Sequence, residues 1–146
     1  ISYTSHDLDD GIAAGILNPE DILKVTLWRE AHETVRRRYP GLDEKRTWNQ
    51  IVIAVINAQV TDVLEEAFHR LSQSEDTRSE NAIAYSGTMQ GKVQEAREFL
   101  FERLYRNPKV LRANSRCQMV LKGLFDYYCE NVNQLPLSFQ ERVEIG

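Results

Sequence analysis

The chain has 146 residues, 42% of them hydrophobic and 27% charged, with a net charge of −4. That length suits one domain, and the apolar share supplies a core and excludes a disordered chain. The negative balance argues against a general polyanion binder, and no apolar run approaches the ~20 residues that span a bilayer.

Helix signals dominate from the first residues. Ser2 to Leu17 reads as a first helix, with Gly11 and Gly15 weakening it and leaving room for a close neighbour. Tyr3, Asp7 and Asp10 lie at i, i+4 and i+7, so they share one face. An aromatic hydroxyl one turn from a carboxylate can hold a hydroxylated ligand, and it can equally form part of a solvated face. Asn18-Pro19-Glu20-Asp21 is a stop and restart, with Asn18 as N-cap and Pro19 at the first helical position. The second helix runs to Arg38 with Ile22, Val25, Leu27, Trp28, Ala31 and Val35 inward. Arg36, Arg37 and Arg38 either complement the macrodipole at its end or form a patch facing nucleic acid. Tyr39-Pro40-Gly41 terminates it.

Asp43 to Thr47 lead into the strongest apolar stripe, Trp48, Ile51, Val52, Val55, Ile56, Val60, Val63, Leu64, Ala67 and Leu71. Its period predicts a core helix over six turns, with Asn57, Thr61 and Asp62 on a flank that is either solvated or an interface or site. Ser72 to Gly91 is rich in Ser, Thr and Gly and predicts a long polar loop. Helix resumes from about Lys92 to Tyr105, with Val93, Ala96, Leu100, Phe101 and Leu104 inward, until Asn107-Pro108 breaks it. A helix from about Lys109 to Asn131 follows, carrying Val110, Leu111, Cys117, Val120, Leu121, Leu124, Phe125, Tyr128 and Val132. Leu135-Pro136 is a turn, with Ser138 as the N-cap of a last helix. The chain therefore reads as an all-α bundle of about five or six helices, a single helical unit over residues 1–146 with a polar loop around 72–91. Cys117 and Cys129 are about 18 Å apart on one helix, too far for a disulfide, and read as reduced, half-buried thiols of a cytoplasmic protein. His6, His32 and His69 are widely separated, and no metal-ligand spacing is visible.

Several stretches, in order, resemble one family. Ile1-Ser2-Tyr3-Thr4-Ser5-His6-Asp7-Leu8-Asp9-Asp10 resembles a signature of the bacterial dGTPase-like deoxynucleoside triphosphate triphosphohydrolases of the HD-domain superfamily. Phe99-Leu100-Phe101-Glu102-Arg103-Leu104-Tyr105-Arg106-Asn107-Pro108 is similar to a later stretch of that family, as is Leu124-Phe125-Asp126-Tyr127-Tyr128 followed by Leu135-Pro136. The resemblance implies the C-terminal helical portion of an enzyme that releases deoxynucleoside and tripolyphosphate from a dNTP, usually dGTP. It implies a divalent metal, Mg or Mn, held by His, His-Asp and Asp ligands upstream of Ile1. His6-Asp7 is a separate occurrence of that dipeptide and not the metal pair. This portion is then expected to hold no metal ligand or catalytic residue and to be inactive alone. Carried over by position, Tyr3 would pack beneath the deoxyribose and Asp7 would accept a hydrogen bond from its 3′-hydroxyl. His6 and Asp10 are read as structural. The family also implies a homo-oligomer, with single-stranded DNA as a possible partner. The competing reading is an independent helical module that oligomerises or binds nucleic acid through Arg36, Arg37 and Arg38.

Overall fold

The computed structural model describes residues 2–73 and 83–145. Among the described residues the fold is all-α: seven α-helices, one π-helical turn and one 3-10 turn, with no strand. By packing, the chain divides into two compact units, Ile1–Arg106 and Asn107–Gly146.

The first unit opens with α1, Ser2–Ala13. It stops four residues earlier than expected because Gly15 takes a left-handed φ of 61°. The Ile16 amide then donates to the Gly11 carbonyl and the Gly15 amide to that of Ile12, each at 2.9 Å, which satisfies two orphan carbonyls. Gly11 serves packing: a Cβ there would stand 2.5 Å from Leu17 Cδ1 and 3.4 Å from Leu104 Cδ1.

The expected second helix is two. A single turn, α2 (Pro19–Ile22), is capped by the Asn18 side chain, and α3 runs Thr26–Arg38. In a continuous helix the Thr26 amide would bond the Ile22 carbonyl; here it donates to Glu95 Oε2 at 3.2 Å. Val25 is extended in between, which lets Ile22, Val25, Leu27, Trp28, Ala31 and Val35 all bury. Trp28 is fully buried, edge-on to Phe99. The Arg36–Arg38 run occupies the last turn of α3 and is exposed.

Helix α4 spans Glu44–Gln73, with Asp43 Oδ1 accepting from the Arg46 amide at its start. Trp48, Ile51 and Val55 are buried as expected, but Val60, Leu64 and Leu71 are exposed. The cause is length: 30 residues reach about 45 Å, whereas α1 and α3, which pack on it, have 12 and 13 residues. Core packing ends at Gln59, buried with its Oε1 accepting from the Tyr85 hydroxyl at 2.8 Å.

The polar loop is shorter than the sequence suggests. Ser72 still belongs to α4, residues 74–82 lie outside the described residues, and α5 starts at Gly87, not near Lys92. The early start comes from a relay that sequence spacing hides. Asp62 accepts from both the amide (2.9 Å) and the hydroxyl (2.6 Å) of Ser86, whose oxygen in turn accepts from the Met89 amide at 3.2 Å. Asp62 is thus an anchor for α5, not a solvated flank. Helix α5 ends at Leu100 and passes into the π-helical turn Phe101–Tyr105, closed by the Arg106 amide on the Phe101 carbonyl at 3.1 Å. Val93, Ala96, Leu100 and Leu104 bury, and Lys92 pairs with Glu30 of α3 at 2.6 Å.

The second unit holds α6 (Pro108–Glu130), a 3-10 turn (Val132–Gln134) and α7 (Leu137–Ile145). Asn107 caps α6 through its side chain, with Pro108 in the first turn. No α6 residue is buried: Leu111, Val120, Leu121, Leu124 and Phe125 are exposed, and so are Cys117 and Cys129, which sequence placed half inside. An apolar stripe fixes which side of a helix is suited to burial, not whether a neighbour covers it. Ser138 is not the cap of α7. The Pro136 carbonyl accepts from the Phe139 and Gln140 amides, and Gln140 Nε2 donates to the Leu135 carbonyl at 2.6 Å.

Two substitutions test this framework by urea unfolding. Gly15→Ala meets no atom within 4 Å, so its loss of about 1 kcal/mol should be pure backbone strain. Asp62→Ala should cost about 1–2 kcal/mol, because it removes both acceptors from a partly buried cap.

Candidate functional site

Helix α1 has two working faces. Ser5, Leu8 and Gly11 point into the first unit and are buried. Tyr3, Thr4 and Asp7 line an open cleft of about 620 Å³. The opposite wall comes from α5 and the π turn: Gln94, Arg97, Glu98, Phe101, Glu102 and Tyr105. Along α5 these outer positions alternate with the buried set Val93, Ala96 and Leu100, so one helix serves both core and cleft.

The structure therefore brings the two sequence-derived candidates together. Tyr3 is 84% exposed, with its ring free for stacking against a ligand. Asp7 is half-buried, and its Oδ2 accepts a hydrogen bond from the Tyr105 hydroxyl. Burial, then the hydrogen bond to the Asp7 carboxylate, pushes the Tyr105 phenol up to about 12, so it stays a donor across the neutral range. Asp10 is exposed and does not line this cleft. His6 is exposed as well.

Three cleft residues escaped the sequence reading. Phe101, expected inward, is 55% exposed in the cleft, with the Arg106 guanidinium 5.7 Å from its ring centroid. Arg97 brings a positive charge to a cleft that otherwise carries Glu98, Glu102 and Asp7. Tyr105 supplies the partner of Asp7. Residues 94, 97, 98 and 101 share one helical side, but nothing in that spacing distinguishes a cleft from a solvated face. Away from this cleft, Arg36 donates to His32 Nε2 at 3.4 Å, and burial followed by the Arg36 charge lowers the His32 pKa. Among the described residues, no helix is long and apolar enough to cross a membrane.

Residues 83–145 match the phosphohydrolase-associated domain family. A deoxyguanosinetriphosphate triphosphohydrolase-like protein of Geobacter metallireducens is 32% identical over 99% of this chain and 40% of its own length. Over nearly its whole length the chain is similar to deoxyguanosinetriphosphate triphosphohydrolase-like proteins. Others so named, from Mesorhizobium japonicum and Brucella anthropi, are 31% and 33% identical over 99% of the chain, which covers 37% and 38% of their lengths. The chain thus spans about two fifths of the curated relatives it matches. Its two units both fall within the aligned region.

The Tyr105 phenol gives a direct readout. Its folded value lies above the ordinary 10, so its contribution to stability is complete below pH 10 and is lost as pH rises through about 12. In a phenolate absorbance titration, the component ionising near pH 12 should vanish in Tyr105→Phe. Tyr85, which burial also raises, should remain a late titrator in both proteins.

Proposed function

We propose that this chain supplies the sugar-binding wall of a metal-dependent deoxynucleoside triphosphate triphosphohydrolase, which cleaves a dNTP to deoxynucleoside and tripolyphosphate. The observation that carries the proposal is the pairing of Tyr3 and Asp7 across one turn of α1, both on an open cleft and with the carboxylate held from the far wall. A sugar hydroxyl is a donor that needs a fixed acceptor, and the Asp7 carboxylate provides one. An aromatic ring one turn away lies beneath the sugar and leaves little room for a 2′-hydroxyl. dGTP is the substrate named by the relatives, and it is the first nucleotide to test.

A divalent ion, Mg²⁺ or Mn²⁺, supplies Lewis-acid chemistry in such a reaction when bound. Among the described residues no group of three or more His, Cys, Asp or Glu side chains lies close enough to share one. The residues present do not fit the ion, and the role proposed for this chain is confined to the nucleoside. The chain is accordingly proposed to be inactive alone, as part of a cytoplasmic homo-oligomer.

In the full-length enzyme, Asp7→Ala should lower kcat/KM for dGTP by about 1–3 kcal/mol of transition-state binding, roughly 5- to 150-fold. Tyr3→Ala should narrow the preference for dGTP over GTP. Wild-type kcat/KM in Asp7→Ala would remove Asp7 from the site.

A further inference from the structure

We propose that Tyr105 is a positioning residue that holds the Asp7 carboxylate in the orientation needed to receive the sugar 3′-hydroxyl. The proposal rests on the sugar-wall reading given above.

Asp7 stands on α1 at the edge of an open cleft, where a short side chain in contact with solvent would sample several rotamers. Tyr105 removes that freedom. Its hydroxyl donates to Oδ2, and Oδ1 keeps its lone pairs for a ligand. The donor is itself fixed. Tyr105 ends the π turn directly after Leu104, which is 8% exposed and would lie 3.4 Å from a Cβ placed on Gly11 of α1. Gly11 is one turn beyond Asp7 on the same helix. Two neighbouring residues of the π turn thus meet two positions one turn apart on α1, the first by packing and the second by a hydrogen bond. Because the phenol is protonated at neutral pH, it can only strengthen the acceptor's orientation and does not compete as an anion. The bond is between side chains 98 positions apart, so it survives only while α1 and the π turn keep their relative placement.

The test uses the full-length enzyme with two substrates, a dNTP and its 2′,3′-dideoxy counterpart, which lacks the hydroxyl that Asp7 receives. The readout is the ratio of their kcat/KM values. Tyr105→Phe keeps the ring and should reduce that ratio roughly tenfold. In an Asp7→Ala background the same change should leave the ratio where Asp7→Ala alone put it. Loss of activity toward both nucleotides by the same factor would make Tyr105 merely structural and overturn the proposal. A wild-type ratio in Tyr105→Phe, with the ratio collapsed in Asp7→Ala, would also overturn it while leaving the sugar wall intact. A wild-type ratio in Asp7→Ala would sink the sugar reading and this proposal together. A thermal unfolding curve for Tyr105→Phe accompanies the kinetics, and Tyr105→Leu, which retains bulk without a donor, should reproduce the ratio change if the phenylalanine variant fails to fold.

Discussion

The first unit depends on how closely α1 can approach the end of α5. Gly11 stands at that approach. With no side chain of its own, it lets Leu17 fold back across α1 and Leu104 reach the same spot. Leu104 seats the π turn, the π turn presents Tyr105, and Tyr105 reaches Asp7. A β-carbon at position 11 would displace the Leu17 side chain, 2.5 Å away, while Leu104 Cδ1 at 3.4 Å would remain in ordinary contact.

A second feature of the unit is the use of side chains from distant elements to start helices. Glu95 takes the first amide of α3, and Asp62 of α4 holds the cap of α5. Each joins a helix end to a neighbour 24 or more positions away, so helix boundaries and tertiary packing form together. That coupling explains which parts of the fold were legible in the sequence. The all-α class, the Asn18-Pro19 and Asn107-Pro108 starts and the buried stripe of α3 rest on local spacing, and they were visible. The break at Leu23–Val25 and the start of α5 at Gly87 rest on Glu95 and Asp62, and nothing local marked them. The exposure of Leu64 and Leu124 was hidden for a different reason. Periodicity reports the side of a helix that is apolar, and it says nothing of how far the neighbouring helices extend.

The cleft divides the same way. Tyr3 and Asp7 could be picked out because one helix turn separates them and because the stretch around them resembles a known signature. Their opposite wall could not. Phe101 stands about 100° from Leu100 on a regular helix, at the margin between the inward side and the cleft side, and its apolar ring suits either. The π turn resolves that ambiguity, and no residue type between Phe101 and Tyr105 announces it.

That turn has a consequence for how the chain tolerates change in length. A π turn is one residue more than an α-helix needs, and one residue of helix is about 100° of rotation. Tyr105 is therefore offset by that angle from where a regular continuation of α5 would place it. Removing a single residue between Phe101 and Tyr105 would restore a smooth helix and carry Tyr105 around its axis. The local backbone would gain regularity while the aromatic hydroxyl turned away from α1. The extra residue acts as a phase setting, and it couples the count of residues in one short stretch to the shape of the cleft.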